Sequence, residues 1–400
     1  MKLLNVITSV DPNGGGPIES IHQIVPLLSA RGHLSEIACL DAPSAPWLMD
    51  LPLKVHALGP GVTGYRYSRK LAHWLRNNAA RFDAVIVHGL WQYGSFATWQ
   101  ALHTSSTPYY VYTHGMLDPW FKRRYPLKHL RKSLYWPWGE YRVLRDAAAV
   151  LFTCEEERLL ARQSFRHYRV NEIVVSFGAG APPEEPAKLR AAFFAAYPEL
   201  AHKRNLLFLG RLHVKKGCDL LVEAFATVAR SETSLHLVMA GPDKDGLQPQ
   251  LQILAERLGI ADRISWTGML TGDLKWGAFY ASDVFVLPSH QENFGIAVAE
   301  SLACGLPVLI SDKINIWREI REAGAGLIAE DTLEGAKHLL QEWVTLPEQV
   351  RQQMAENAQK CFLSHFEMEQ AADSLLRVLE PQNIGKSPLE VPEPFRPQGK

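Results

Sequence analysis

The sequence predicts an α/β protein with two parallel-sheet domains that face a central cleft. Short runs rich in Val, Ile, Leu and Phe alternate with helical patterns, which is typical of βαβ units. The same alternation occurs in both halves of the chain, with a proline-rich segment between them. A length of 400 residues, 47% of them hydrophobic, exceeds what one ordinary core needs. We therefore expect two domains.

Apolar runs mark the predicted strands, and each run ends in a polar or glycine-containing turn. In the first half the runs are KLLNVIT, DAVIVHG, YYVYTHG, AAVLFTC and EIVVSFG. In the second half they are NLLFLGR, LHLVMAG, RISWTG, DVFVLPS and LPVLIS. Apolar residues at helical spacing predict helices between them, for example over 18–30 and 219–229. Thr153 and Glu156, three residues apart, predict a capping box at one helix start.

The segment GAGAPPEEPAK has the composition of a linker. We therefore assign the first Rossmann-like domain to residues 1–180 and the second to residues 181–362. A helix over 363–380 is predicted to return to the first domain, and the proline-rich residues 381–400 are predicted to form a disordered tail. Ligands of such sheets bind outside the carboxyl ends of the strands, so functional residues are expected there.

The overall charge excludes a general electrostatic argument for nucleic acid, since Lys plus Arg and Asp plus Glu both number 42. The five cysteines form no CxxC pair, which fits a reducing cytoplasm. The N-terminal residues lack the features of a signal peptide, and no run approaches the roughly 18 apolar residues of a membrane span. We expect a cytoplasmic protein that can still lie on a membrane surface.

The first predicted strand is followed by DPNGGGPIES, in which Gly15 and Gly16 precede a helix. Glycines let a ligand approach the backbone closely, and a helix start offers free N–H groups to an anion. An ordinary tight turn is the alternative. The turn matches neither GxGxxG nor GxxxxGKS/T, so it predicts neither dinucleotide binding nor a Walker loop.

The second half has the loop GRLHVKKG after its first strand, which contains Arg211 and Lys216 just before a helix. A diphosphate needs two or three fixed cations or N–H donors, and each charge-assisted hydrogen bond contributes roughly 1.5–3 kcal/mol. These two cations and a helix start meet that need. Solvated loop charges are the alternative.

The segment SHQENFGIAVAESLACG places Glu292 in a loop and Glu300 within a helix predicted over 296–304. The N–H groups of Asn293, Phe294 and Gly295 are expected to be free at the helix start. Glu292 can reach a ligand in the cleft. An inward-facing Glu300 needs hydroxyl donors, because burial of an unpaired carboxylate is costly. The alternative is an ordinary helix with solvated carboxylates.

His114 ends the predicted strand YYVYTHG, where it suits a hydrogen bond to a hydroxyl or phosphate, or a proton transfer. A purely structural histidine is the alternative. Asp243 and Asp245 form a DKD triplet but have no partner ligands nearby in sequence, and no HExxH or paired His/Cys spacing occurs. We predict no metal site.

Residues 118–145 hold eight Lys and Arg against two Asp and Glu. The aromatic residues interleaved with them are Trp120, Phe121, Tyr135, Trp136 and Trp138. Such a mixture suits an anionic membrane surface, and it also suits single-stranded nucleic acid. A helix with a solvated face is a third interpretation. We predict a membrane contact rather than a nucleic acid partner.

Over about residues 1–380 the sequence resembles the family 4 retaining glycosyltransferases of the GT-B fold, of the bacterial surface-polysaccharide type. ENFGIAVAE matches the E-x7-E motif of that family, and GRLHVKKG matches its R-x4-K phosphate loop. The segments NGGGP and THGML agree with its N-terminal half. The four motifs occur in the family's order.

The resemblance implies that the first domain binds an acceptor and the second a nucleotide sugar. The residues it implies for donor binding are Gly15, Gly16, Arg211, Lys216, Asn293, Phe294, Gly295 and Glu300. Arg211 and Lys216 would bind the diphosphate, and Glu300 would accept hydrogen bonds from the ribose. Glu292 would hold the donor sugar, with His114 beside it.

The implied reaction is transfer of a sugar from a nucleotide diphosphate sugar, UDP or GDP, to a glycan or lipid-linked acceptor with retention of configuration. It requires no cofactor and no metal. The enzyme would act in the cytoplasm or at the inner face of the cytoplasmic membrane. The alternatives are a nucleotide-sugar epimerase or phosphorylase of the same fold, or a non-catalytic protein that binds sugar nucleotides.

Overall fold

The computed structural model describes residues 1–12, 16–48 and 53–380. Within these residues the chain forms two parallel sheets packed against helices. The predicted α/β class with two parallel-sheet domains is confirmed. Gly15 and the tail predicted over 381–400 lie outside the described residues.

The first sheet contains seven strands. They are β1 (Lys2–Ile7), β2 (Leu34–Cys39), β3 (Lys54–Ala57), β4 (Ala84–His88), β5 (Tyr109–Tyr112), β6 (Ala149–Phe152) and β7 (Glu172–Val174). Their spatial order is β3-β2-β1-β4-β5-β6-β7, so the order reverses between β1 and β4. Such a reversal leaves a crevice at the carboxyl ends of the strands.

The second sheet contains six strands. They are β8 (Arg204–Leu209), β9 (Leu235–Ala240), β10 (Ile264–Gly268), β11 (Val284–Leu287), β12 (Val308–Ser311) and β13 (Gly326–Ala329). The spatial order is β10-β9-β8-β11-β12-β13, with its reversal between β8 and β11. The loops after β8 and β11 therefore meet at one crevice.

Helices connect the strands. In the first domain they are α1 (Gly16–Ala30), α2 (Arg69–Asn78), α3 (Tyr93–Leu102), α4 (Trp120–Arg124), α5 (Pro126–Tyr135), α6 (Glu140–Arg145) and α7 (Glu155–Ala161). In the second they are α8 (Pro186–Ala196), α9 (Cys218–Ala229), α10 (Gln248–Leu258), α11 (Gly272–Tyr280), α12 (Ile296–Ala303), α13 (Trp317–Ala323), α14 (Leu333–Thr345) and α15 (Glu348–Cys361). A π-helical turn, Phe362–Phe366, leads into α16 (Met368–Leu379).

Three strands, β2, β3 and β13, were not predicted from the sequence. Strands β3 and β13 are edge strands of four residues each, and most of their residues are only half-buried. Their sequences therefore lack the continuous apolar run that burial on both faces produces. Strand β2 has a polar first half, in which Glu36 is buried beside Lys2 and His56.

The last helix crosses back onto the first domain. Its Ala372, Leu375 and Leu376 belong to the same buried cluster as Leu3 and Tyr110 of the first sheet. The crossing is hydrogen-bonded as well, since the Ala179 N–H donates to the Phe366 carbonyl at 2.9 Å. One end of the chain thus ties both domains together.

Hydrogen bonds also join the two domains across their facing loops. Gln291 Nε2 donates to Asp118 Oδ2 at 3.2 Å, and Asn293 Nδ2 donates to Thr153 Oγ1 at 3.1 Å. The loop after β11 therefore lies against the carboxyl ends of the first sheet. Among the helices of the described ranges, none combines the length and apolar character that crossing a bilayer requires.

Candidate active site

Two loops of the second domain hold the charged residues of the predicted E-x7-E and R-x4-K motifs. Gly217 adopts φ 64°, and a Cβ there would lie 2.3 Å from the Pro288 carbonyl oxygen, so only glycine fits. Ser289 Oγ and the His290 N–H both donate to the Lys215 carbonyl, at 2.9 and 2.8 Å. These contacts hold the lysine loop against the glutamate loop.

Glu292 lies among three cations. Lys216 Nζ is 2.7 Å from Glu292 Oε1, and Lys215 Nζ is 3.9 Å from the same oxygen. Burial raises the pKa of Glu292, but the charges of Lys216, Lys215 and Arg211 outweigh it and leave the pKa below its usual value. The carboxylate is therefore ionised at neutral pH, and the cluster keeps a net positive charge for an anionic ligand.

The turn before α12 presents unpaired backbone donors beside this cluster. Gly295 adopts φ 76°, which turns the chain into the helix. Within the described residues, the N–H groups of Asn293, Phe294 and Gly295 have no acceptor. The Phe294 side chain is buried between Phe177 and Phe366, so its backbone amide is the group left to contact a ligand. A helix start of this kind binds phosphate well.

Glu300 lies inside α12, is 4% exposed, and is bonded to a lysine that the sequence did not reveal. Lys275 Nζ on α11 is 2.6 Å from Glu300 Oε1. Burial raises the pKa of Glu300 above its usual value, while Lys275 opposes this and the charge of Glu19 on α1 adds to it. In the ligand-free protein the partner of this carboxylate is thus an ammonium group rather than the hydroxyl donors expected from the sequence. A carboxylate has about four acceptor positions, so ribose hydroxyls can still bind.

His114 lies just beyond β5, with φ 47°, and is followed by Gly115 with φ 71°. His114 Nε2 is 3.1 Å from His88 Nδ1, and His88 Nε2 is 3.0 Å from Asn5 Oδ1. Burial lowers the pKa of His114 to about 4, and burial and the neighbouring ring lower that of His88 well below its usual value. Both rings are therefore neutral. Because the Asn5 oxygen accepts from His88, His88 accepts from His114, which leaves the His114 Nδ1 lone pair free to accept.

A buried glutamate on α7 holds the His114 turn in place. Glu157 Oε1 accepts hydrogen bonds from Thr113 Oγ1 and the Gly115 N–H, each at 2.6 Å. Glu157 Oε2 accepts from the N–H and hydroxyl of Thr153 at 2.8 and 2.7 Å. This pairing replaces the predicted capping box: Glu156 instead pairs with Arg318 of the second domain. The helix starts one residue later than the box requires, with Cys154 as its N-cap.

The first residue of α1 lies opposite the first residue of α12. A Cβ on Gly16 would be 3.6 Å from Ile296 Cδ1, so two helix starts meet across the cleft. The other glycine predicted here, Gly15, is outside the described residues.

The DKD triplet has a local structural role. Asp243 accepts hydrogen bonds from the Leu247 and Gln248 N–H groups at 2.8 and 2.9 Å, and so it caps the start of α10. In the described part of the chain no group of three or more His, Cys, Asp or Glu side chains is arranged to hold a metal ion.

Four site residues were missed by sequence reasoning: Lys215, Lys275, His88 and Glu157. For two of them the sequence contains a feature that could have indicated the role. Lys215 is adjacent to Lys216, and His88 ends its strand in the same His-Gly pair as His114 on the neighbouring strand. For Lys275 and Glu157 the sequence contains no such feature, since only the fold brings them to Glu300 and Gly115.

Known families match both domains. Residues 15–178 match a family described as "Glycosyl transferase 4-like domain". Residues 190–361 match "Glycosyl transferases group 1".

Curated relatives are glycosyltransferases by name. A D-inositol 3-phosphate glycosyltransferase of Rhodococcus jostii is 30% identical over 65% of this chain and 58% of that protein. One from Thermomonospora curvata is 37% identical over 31% of each chain. An alpha-D-kanosaminyltransferase of Streptomyces kanamyceticus is 25% identical over 60% of this chain and 61% of that protein. The matched regions thus cover less than two thirds of these relatives.

Solved structures show the same architecture. Anabaena HepE in complex with UDP superposes with a TM-score of 0.75 at 17% identity, covering 95% of this chain and 99% of that one. WaaG, a glycosyltransferase involved in lipopolysaccharide biosynthesis, gives a TM-score of 0.70 at 16% identity, covering 95% and 100%. At such identities the likeness shows the fold. The two family matches, at residues 15–178 and 190–361, show that this chain belongs to the group 1, family 4-like glycosyltransferases, and the solved structures show that it has the GT-B fold.

Proposed function

We propose that the protein transfers a sugar from a UDP or GDP sugar to an acceptor hydroxyl with retention of configuration, in polysaccharide or lipid-linked glycan synthesis. The observation that carries this proposal is the Lys216–Glu292 contact of 2.7 Å beside the free amides at the α12 start. In a bound donor, this ammonium group, carboxylate and set of backbone N–H groups would lie beside the bond between the sugar and the diphosphate. Anabaena HepE, which shares the fold, has been solved with UDP and glucose.

The proposed roles place the donor along the second domain. Arg211 and Lys216, with Lys215, hold the diphosphate, and Glu300 accepts from the ribose. Glu292 and the amides of residues 293–295 hold the sugar. Gly15 and Gly16 approach the diphosphate from the first domain.

His114 faces the donor sugar as a neutral acceptor, since its pKa of about 4 keeps it unprotonated. The chemistry is stabilisation of charge on the leaving diphosphate by preorganised cations and amides. The bond between the sugar C1 and the phosphate oxygen breaks, and the acceptor oxygen bonds to C1 on the same face. The acceptor proton passes to the leaving phosphate oxygen.

The donor assignment is tested by replacing Arg211 and Lys216 singly with Ala. We expect each change to weaken stabilisation by UDP-glucose or GDP-mannose in a thermal-shift titration, with an affinity loss of about tenfold or more, roughly 1.4 kcal/mol. Lys337→Ala on α14 is the matched control, because Lys337 pairs with Glu334 on its own helix and lies outside the assigned donor residues. Near-normal affinity in both variants would rule out the diphosphate assignment.

Product analysis separates the alternatives. A transferase releases nucleoside diphosphate in proportion to added acceptor, whereas an epimerase converts the donor without acceptor. A phosphorylase requires inorganic phosphate, and a binding protein turns nothing over.

We further propose that the first domain docks on an anionic membrane surface through α5. Leu127, Leu130 and Leu134 are 78%, 58% and 71% exposed, and their spacing of three and four residues places them on one side of the helix. Trp138, just beyond the helix, is exposed as well. We call these four residues the α5 apolar face.

The composition of the proposed surface differs from the sequence prediction in one respect. Trp136 is buried against Phe165 and does not face solvent. The exposed apolar groups are instead mostly leucines, and exposed Lys and Arg residues of α4 and α5 flank them. This combination is typical of helices that lie in a membrane interface.

A further inference from the structure

A cavity of about 700 Å³ lies in the first domain, outside the donor residues described above. Its floor is the turn after β4, including Leu90 and Trp91, together with Met116. One wall is α5. None of the residues to which the donor was assigned lines it.

The cavity adjoins the reacting end of the site. Met116 is two residues beyond His114, and its backbone carbonyl accepts from Trp91 Nε1 at 3.2 Å. The Leu90 N–H is 3.1 Å from Met116 Sδ. The cavity floor is therefore continuous with the turn that carries His114. A molecule in the cavity would therefore lie beside the turn that contains His114 and Met116.

The α5 wall is cationic. Lys128, Arg131 and Lys132 all line the cavity, and the lining residues within the described chain include no carboxylate. Lys132 Nζ lies 4.2 Å from the centre of the Trp91 ring. Burial, reinforced by the charge of Lys128, lowers the pKa of Lys132 to about 8, although Glu140 opposes them. This environment disfavours the charged form of Lys132. A dianionic ligand beside it would stabilise that charged form.

Apart from Gln92, the remaining lining is aromatic and apolar. The hydroxyl groups of Tyr65 and Tyr135 form a hydrogen bond of 2.7 Å, and both rings line the cavity together with Trp91. Aromatic faces pack against the C–H faces of sugars and against isoprenoid chains, and neither of those groups needs a charge. The cavity therefore combines a site for an anion with a surface for an uncharged ring or chain.

We propose that this cavity binds the phosphate group of a phosphorylated acceptor, held by Lys128, Arg131 and Lys132 with its sugar or isoprenoid part against Tyr65 and Trp91. The inference rests on the proposed transferase function and names the acceptor class for it. Three cations match a phosphate monoester, which carries about −1.5 to −2 charges at neutral pH, and arginine suits phosphate because its N–H groups form a fork. The phosphate belongs either to a soluble sugar phosphate or to a lipid phosphate. The second source fits the exposed leucines that the same helix presents to solvent.

Binding is measured by calorimetry with UDP saturating the donor site, so that phosphate cannot bind there. The probes are glucose 1-phosphate and geranyl phosphate, with glucose and geraniol as uncharged partners. We expect at least one phosphate probe to bind at least tenfold more tightly than its uncharged partner. Binding of glucose 1-phosphate alone identifies a soluble acceptor class, and binding of geranyl phosphate alone identifies a lipid class. Equal binding of charged and uncharged partners in both pairs would overturn the proposal.

Variants locate the binding. Lys132→Gln and the double change Lys128→Gln/Arg131→Gln, which alters two exposed side chains, should each lower the affinity for the phosphate probe at least tenfold. The control is Arg124→Gln on neighbouring α4, an exposed cation that does not line the cavity. The double variant removes only exposed side chains, so a folding defect in Lys132→Gln leaves the test intact. Unchanged phosphate affinity in the double variant would refute the cavity assignment.

The two proposals fail separately. Stabilisation by the nucleotide sugar depends on the second domain and should be unchanged in both cavity variants. If the wild-type protein binds a phosphate probe but no nucleotide sugar, the donor proposal is wrong and the cavity proposal stands. The reverse result rejects only the cavity proposal.

Discussion

The Glu140 carboxyl is fully buried, and only one of its oxygens is hydrogen-bonded. Glu140 Oε1 accepts from the Trp91 N–H at 2.7 Å and from Ser95 Oγ at 3.1 Å. Within the described residues, Oε2 has no partner. Burial raises the pKa to about 7, against the opposing effects of these donors and of Lys132. The group therefore keeps its proton until near neutrality.

This raised pKa predicts a pH-dependent stability. The unfolded carboxyl titrates near 4.5 and the folded one near 7, so its contribution is complete below pH 4.5 and is lost as pH rises to about 7. Glu140→Gln removes this titration and keeps an oxygen acceptor for Trp91 and Ser95. Relative to wild type, we expect the variant to gain roughly 3 kcal/mol in unfolding free energy between pH 4.5 and 8.

Urea unfolding of both proteins at the two pH values measures the difference. Ser95→Ala, which removes one donor but no titrating group, is the control and should show a pH dependence at least as large as that of wild type, because the donor that is lost lowers the pKa of Glu140 in the wild type. Identical pH dependence in Glu140→Gln and wild type would contradict the raised pKa.

The helix α5 has two functional faces in the proposals above, and they can be separated by mutation. Its leucines face solvent, whereas Lys128, Arg131 and Lys132 line the cavity. A triple change of Leu127, Leu130 and Leu134 to Ser should therefore abolish membrane docking and leave the cavity unchanged.

Sedimentation with anionic phospholipid vesicles tests the docking. We expect wild type to bind at low salt and to be released by salt, because exposed charges are screened. The triple variant should bind at least tenfold more weakly, since burying one leucine contributes about 1.5–3 kcal/mol. Its stabilisation by nucleotide sugar should match wild type. Absence of wild-type binding at low salt, or equal binding by the variant, would reject the docking proposal.

Strand prediction succeeded where a strand is buried on both faces and failed at the edges. The run VFVL of β11 is fully buried, and its composition shows this directly. The edge strand β3, with the sequence KVHA, is half-buried and has no comparable pattern. Its place in the sheet depends on pairing with β2, which lies 15 residues or more away in the chain.

The return of α16 to the first domain makes the integrity of that domain depend on the end of the chain. Leu375 is 3% exposed and packs in the cluster that contains Leu3 and Tyr110. We expect Leu375→Ala to lower the unfolding free energy by about 2–5 kcal/mol, through lost burial and the cavity it leaves. Arg31 bridges to Glu369 and Asp373 of the same helix at the surface.

The surface bridge supplies the control. Arg31→Gln should cost at most about 1 kcal/mol, because exposed ion pairs contribute little. Chemical denaturation of both variants compares the two effects. A Leu375→Ala loss no larger than that of Arg31→Gln would show that α16 does not support the core.

The sequence alone determined the fold class, the family and the local form of the motifs. Helix α12 was predicted over 296–304 and is observed at Ile296–Ala303, and the helix predicted over 363–380 is observed as α16 at Met368–Leu379. Both depend on helical spacing and on residues that stop helices, which act over a few positions. That the E-x7-E and R-x4-K motifs act on one ligand could be inferred only from the family resemblance.

The tertiary structure decided which side chains satisfy one another. Lys275 reaches Glu300 across 25 positions, Glu157 holds the turn at Gly115 across 42, and Asn5 orients His88 across 83. Such partners are chosen by the packing of separate elements, and no local pattern encodes that packing. The cavity beside His114 has the same origin, because it forms only where α5 folds over the ends of strands distant in sequence.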